Sequence, residues 1–232
     1  MATYQLEIFN GLPFIFSNGK AYLVDTSSPA SGPSVLFEAK QYNANIGALD
    51  VTIKDLVNKI REGKNVTLDG VLGMDALAHG CLRISYADKV LEAGAIPERL
   101  SSKAKFKNLM GLVCIQINVG TEAINALLDT SSEYSYMTDE KFLQGCKSVG
   151  KIEDVMPELM PGMKLKRFTT ELCEQAIDFE GESFVGRFGK LPAQAGTLLS
   201  LVGVEAILGF DFFNSFEVLL DFKNSIVSTR KY

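Results

Sequence analysis

Apolar and polar residues alternate over residues 4–9, break at Asn10-Gly11, and give way to an apolar run at residues 12–16. Period-two alternation between turn residues predicts strands, and Ser17-Asn18-Gly19-Lys20 predicts a hairpin before a third strand at residues 21–24. That strand runs directly into Asp25-Thr26-Ser27-Ser28-Pro29. The event recurs. Residues 112–118 and 123–128 read as strands around the turn Val119-Gly120-Thr121-Glu122, and the second strand ends in Asp129-Thr130-Ser131-Ser132.

A second pair of segments turns this echo into a repeat. Val71-Leu72-Gly73-Met74-Asp75 matches Ile207-Leu208-Gly209-Phe210-Asp211 at an offset of 136 residues. The register then holds without a gap: Leu82 with Val218, Ile84 with Leu220, Tyr86 with Phe222, Val90 with Ile226. The two Asp-Thr-Ser-Ser motifs are 104 residues apart, so the second copy is 32 residues longer between motif and glycine. Two ordered matches in one chain indicate an internal duplication of a mainly β unit.

The polar stretch through Pro97, Ser101 and Ser102 marks the boundary, dividing the chain into residues 1–100 and 101–232. Helical spacing of apolar residues predicts a helix over 51–61, stopped at Gly63, and a short helix over 140–146. Residues 169–191 predict a long hairpin turning at Glu180-Gly181-Glu182, and Met156, Met160 and Met163 around Pro157 and Pro161 predict an irregular surface loop.

Composition narrows the chemistry. The 232 residues are 47% hydrophobic and 22% charged, ordinary for a folded domain, and the net charge of −5 disfavours a nucleic-acid surface. One histidine, His79, rules out multi-histidine metal sites and reads as a polar residue at a helix end. Cys81, Cys114, Cys146 and Cys173 form no CxxC pair, and the first two lie in apolar runs expected in the core. No metal and no cofactor is expected. Without a visible secretory signal or a span-length apolar run, the expectation is a soluble, cytoplasmic protein that binds no membrane.

An aspartate ending an apolar strand, followed by small hydroxyl residues, sits where a turn can hold its carboxylate. A twofold relation between the copies would bring Asp25 and Asp129 face to face, sharing one proton. The ionised partner could activate a water while the protonated one donates to a carbonyl, which is amide hydrolysis without histidine, metal or covalent intermediate. Asp75 and Asp211, which also recur, are expected to cap the short helices behind them.

These residues resemble the aspartic peptidases of the pepsin and retropepsin type, whose halves each carry two apolar residues, Asp-Thr/Ser-Gly, and a downstream apolar-apolar-Gly motif. Leu23-Val24-Asp25-Thr26 with Val71-Leu72-Gly73, and Leu127-Leu128-Asp129-Thr130 with Ile207-Leu208-Gly209, look like the two halves. The resemblance implies a mainly β acid-protease fold of two pseudo-twofold-related retropepsin-like β-barrel lobes with a few short helices. It also implies a catalytic pair Asp25 and Asp129, braced by Thr26 and Thr130, with Gly73 and Gly209 letting the chain pass beneath each loop. Its implied partner is an extended peptide or unfolded segment, and one chain supplies a complete site.

The sequence departs from that pattern at two points. Ser27 and Ser131 replace the third-position glycine, keeping the backbone donor but adding bulk. The first copy is short between Asp25 and Gly73, so a flap is expected in the second copy instead, with Phe179, Gly181, Phe184 and Gly186 near its tip. Two functions follow: an endopeptidase, or a catalytically silent module that keeps the fold and binds peptides.

Overall fold

The repeated pattern becomes a repeated set of elements. A computed structural model describes residues 2–17, 20–31, 70–94, 100–109, 111–156 and 166–232. The expected helix over 51–61, the methionines at 160 and 163, and residues 95–99 of the boundary stretch lie outside these residues. The first half holds β1 (Ala2–Phe9), β2 (Leu12–Ser17), β3 (Lys20–Val24), β4 (Gly70–Leu72), α1 (Met74–Leu77), β5 (Cys81–Ser85) and β6 (Val90–Ala93). The second holds β7 (Ser102–Lys105), β8 (Lys107–Leu109), β9 (Leu112–Val119), β10 (Glu122–Leu128) and β11 (Ser135–Met137), then β12 (Lys147–Met156), β13 (Lys166–Phe179), β14 (Glu182–Lys190) and α2 (Ala193–Leu201). It closes with β15 (Ala206–Leu208), α3 (Phe210–Ser215), β16 (Phe216–Asp221) and β17 (Ile226–Lys231).

Among the described residues the strands form two mixed sheets, one of nine strands in the order β4-β3-β2-β1-β6-β5-β16-β17-β7 and one of eight in the order β12-β13-β14-β11-β15-β10-β9-β8. One further residue pair, Asp178 with Asn118, reaches from β13 to β9 without joining the end strands. Neither sheet is a closed barrel. The expected pair of retropepsin-like barrels, and the acid-protease fold with it, is therefore corrected to two open mixed sheets. The reason lies in the strands after each glycine. β5 and β16 are buried along nearly their whole length, and they pair with each other across the halves instead of closing their own.

That junction is symmetric. Leu82 pairs with Leu220 and Ile84 with Val218, while the 136-residue offset equates Leu82 with Val218 and Ile84 with Leu220. The pairing maps onto itself only if a local twofold axis passes through the Arg83–Leu219 pair. The flanking strands obey the same axis: Ala2 pairs with Ala93 in the first half, Ser102 with Thr229 in the second. Even the left-handed turn residues correspond, Lys89 and Ser225 each having φ 54°.

One apolar core runs through both halves, with Phe179, Phe184, Phe212 and Phe216 packed edge-on or tilted against one another. The long hairpin is present as β13 and β14, turning through Glu180 and Gly181 at φ 53° and 83°. The helix expected over 140–146 is only a 3-10 turn, Glu140–Leu143, whose N-cap Asp139 accepts from the Lys141 N–H. Cys81 and Cys114 are buried and free, while Cys146 and Cys173 form a disulfide across the β12–β13 hairpin that the cysteine spacing gave no sign of. Among the described residues no helix is long and apolar enough to cross a membrane.

Candidate functional site

Each aspartate is delivered by a strand buried on both faces. Leu23 and Val24 in β3, and Leu127 and Leu128 in β10, are covered by the core. Each strand runs parallel to the short strand before the repeated glycine, β3 beside β4 and β10 beside β15. The Asp25 N–H donates to Leu72 O at 2.9 Å and the Asp129 N–H to Leu208 O at 3.0 Å, so both acids leave their strands at the same ladder position.

The glycines are required where they stand. A Cβ at position 73 would lie 2.6 Å from the Ala30 carbonyl oxygen, and one at position 209 would lie 2.4 Å from that of Tyr134. No other residue lets these backbones approach so closely. The Gly73 N–H donates to Ser31 Oγ and the Gly209 N–H to Ser135 Oγ, tying each glycine to the loop above it.

The two loops are locked to each other by reciprocal bonds. Thr26 N–H donates to Thr130 Oγ1 and Thr130 N–H to Thr26 Oγ1, both at 3.1 Å. Thr26 Oγ1 donates to Leu128 O at 2.8 Å, and Thr130 Oγ1 to Val24 O at 2.7 Å. Both threonines are fully buried, so the net has no competing water. Thr26→Val keeps the shape but strands the Thr130 N–H and the Leu128 carbonyl. It is expected to cost on the order of 3 kcal/mol in urea unfolding, whereas Thr26→Ser, which keeps the hydroxyl, is expected to cost far less.

The serines hold the acids. Ser27 donates from its N–H at 2.8 Å and from Oγ at 2.7 Å to Asp25 Oδ1, and Ser131 does the same to Asp129 Oδ1 at 2.9 and 2.7 Å. The opposite serine, Ser131 for Asp25 and Ser27 for Asp129, adds a further pull that lowers each acid's pKa. Both aspartates are half-buried.

Desolvation dominates the electrostatics. Burial raises the pKa of Asp25, partly offset by the donors from Ser27, Ser131 and Ser28. Burial, and next the charge of Asp25, push Asp129 up to about 7, against the pull of the same two serines. Two acids that disfavour each other's ionisation titrate as a pair, holding one proton between them over a range of pH. Tyr86 breaks the symmetry. Its ring stacks on Phe213 and lies beside Phe210, its buried hydroxyl has no hydrogen-bond partner among the described residues, and the Asp129 charge helps burial raise its pKa. Phe222, its counterpart by the offset, has no hydroxyl.

Asp25-Thr26-Ser27 and Asp129-Thr130-Ser131 are thus two loops joined through their threonines, each packed closely against its glycine, Gly73 or Gly209. The hairpin expected as a flap packs on the core. Phe179 and Phe184 are buried against Phe212, and a Cβ on Gly186 would meet the Phe184 and Phe188 rings. The tip at Gly181 is followed by Glu182, which accepts from Ser102 Oγ at 2.7 Å, and by Ser183, whose carbonyl accepts from Lys231. The hairpin is docked on β7 and β17. Gly73 and Gly209 hold the N-cap positions; Asp75 accepts from Ser31 and, at 2.8 Å, from the Ala76 N–H of its own short helix, while Asp211 forms a two-pronged ion pair with Arg187. Neither Tyr86 nor Arg187 stands out in the sequence; for Tyr86 the one available signal is its Phe222 counterpart.

Among the described residues, no three His, Cys, Asp or Glu side chains converge to hold a metal ion. Comparison with known proteins finds no family model and no curated protein that matches the chain. With open sheets in place of closed barrels, the kinship with aspartic peptidases that the motifs led us to expect is withdrawn, and the chain is assigned to no family.

Proposed function

We propose that Asp25 and Asp129 act as a general acid–base pair that hydrolyses peptide bonds in an extended polypeptide segment. The observation that most supports this reading is the reciprocal Thr26–Thr130 net, which holds two copies of one acidic loop about one axis. With one proton shared, the ionised carboxylate removes a proton from an attacking water while the protonated one donates to the substrate carbonyl oxygen. Collapse of the tetrahedral intermediate then passes the proton to the leaving amine. Because one chain supplies both acids, no dimer is needed.

The chemistry needs one acid ionised and one protonated, so the rate is expected to fall as pH rises through about 7, where the upper step is lost. The test is digestion of an unstructured protein at mildly acidic pH. Cleavage that a statine-type mimic blocks, and that neither Asp25→Asn nor Asp129→Asn retains, supports the proposal; cleavage surviving in either folded variant refutes it. The silent peptide-binding module is the second reading, favoured by the grip of both serine hydroxyls on the acids, and it predicts peptide binding without cleavage at any pH. The Cys146–Cys173 disulfide suits an oxidising compartment better than the cytoplasmic location expected above, where thiols are kept reduced.

A further inference from the structure

Arg187 lies in β14, within the stretch that is 32 residues longer in the second copy, yet its contacts are with the segments that deliver Asp129. Its Nε and Nη2 donate to the two carboxylate oxygens of Asp211 at 2.9 and 2.8 Å, and its backbone N–H donates to the same carboxylate at 2.8 Å. Its guanidinium carbon also lies 5.2 Å from the centre of the Tyr134 ring, within cation–π range. Asp211 stands two residues beyond Gly209, and Tyr134 five residues beyond Asp129. These are the two segments already pressed together. Phe210 N–H donates to Ser132 O at 2.9 Å, and Ser132 N–H donates to Asp129 O at 3.3 Å. Ser132 Oγ donates to Tyr134 O at 2.7 Å, and that carbonyl is the one a Cβ on Gly209 would strike. One side chain thus grips both sides of the close approach. The first half is built differently. By the repeat offsets Asp75 stands where Asp211 does and Ala30 where Tyr134 does. Asp75 accepts from Ser31 of its own loop, Ala30 has no ring to offer a cation, and no arginine among the described residues pairs with Asp75.

Resting on the acid–base reading above, we propose that Arg187 is a positioning residue, a clamp from Asp211 to Tyr134 that holds the Asp129 loop against Gly209. Lysine cannot take its place, because only the planar fork meets two carboxylate oxygens while its face meets a ring. The clamp acts on one acid of the pair. Asp129 is held by the hairpin as well as by the Thr26–Thr130 net, whereas Asp25 shares only the net.

The test follows the Asp129 carboxyl carbon by carbon-13 NMR across pH, which requires no turnover. In the unaltered protein Asp129 is expected to titrate at about 7. Removing Arg187 has two effects of opposite sign. Loss of a nearby cation raises the pKa of an acid, whereas a loosened loop relieves burial and draws away from Asp25, which lowers it. Arg187→Met is therefore expected to lower the Asp129 step by at least about one unit, a tenfold change in proton affinity. Arg187→Lys, which keeps the charge without the fork, is expected to lower it as well. Tyr134→Leu removes one jaw and leaves the ion pair, and is expected to move the step the same way; Tyr134→Phe keeps the ring and is expected to leave it in place. An Asp129 step that stays or rises in folded Arg187→Met, or that Arg187→Lys restores, overturns the clamp and leaves the acid–base pair standing. Titration of Asp129 at an ordinary aspartate value in the unaltered protein overturns the pair itself, and the clamp with it. Should Arg187→Met fail to fold, the two Tyr134 variants decide: the same titration in both overturns the clamp.

Discussion

Asp129→Asn is expected to abolish peptide hydrolysis and, at the same time, to stabilise the protein at neutral pH. On the proposed acid–base reading, the first effect removes a group that changes protonation in every turnover, and the loss is expected to be at least about a hundredfold. The second follows from linkage. The Asp129 pKa rises from 3.8 to about 7 on folding, because burial and the Asp25 charge disfavour the anion. Below about pH 4 the acid is protonated in both the folded and unfolded states and imposes no penalty. As pH climbs toward 7 the unfolded chain ionises freely while the folded one resists, so stability is lost across that window. At about 1.4 kcal/mol per pKa unit the loss is a few kcal/mol. Asparagine keeps the shape, and its side-chain oxygen can still accept from Ser131, so the variant escapes the penalty. Urea unfolding at pH 4 and pH 8 checks this: the variant gains over the unaltered protein at pH 8 and not at pH 4. An equal difference at both values contradicts it.

Arg83→Met is expected to be among the most damaging single substitutions outside the site, costing about 3 kcal/mol. Arg83 stands on the local axis, where its guanidinium binds Glu217, Glu92 at 3.2 Å and Asp88 at 3.0 Å. Glu217 is wholly buried, and its other partner, Arg230, is half exposed. Removing Arg83 leaves a buried carboxylate short of its inner counter-charge, at the junction that unites the two halves. Arg83→Met combined with Glu217→Met removes the orphan and is expected to recover most of the loss; a double variant as unstable as the single would contradict the assignment. Denaturant midpoints of the two variants decide between these outcomes.

Much of the site was legible because it rests on local, repeated signals. The Asp-Thr-Ser-Ser pair and the glycine pair predicted a duplication, and the elements recur at those offsets. The glycines stand out in the sequence because a close backbone approach leaves only one residue type possible. What was not legible is long-range. Nothing in Cys81–Ser85 or Phe216–Asp221 announces that each will pair with the other and not with its own half, and that choice opens the sheets and removes the barrels. Where the long hairpin docks was illegible for a related reason. Phe179, Phe184 and Phe188 alternate with polar residues as any strand over a core does, and period two cannot say whether the apolar face looks onto a cleft or an interior. Cys146 and Cys173 are distant in sequence, and only the β12–β13 register brings them together.

That two copies of one loop place their acids in electrostatic contact is tested most directly by titrating Asp129 alone, through its carboxyl carbon, with and without its partner's charge. In Asp25→Asn the Asp129 pKa is expected to drop from about 7, because the neighbouring negative charge that helps hold it up is gone. An Asp129 titration curve unchanged by the loss of Asp25 would show that the two carboxylates do not meet.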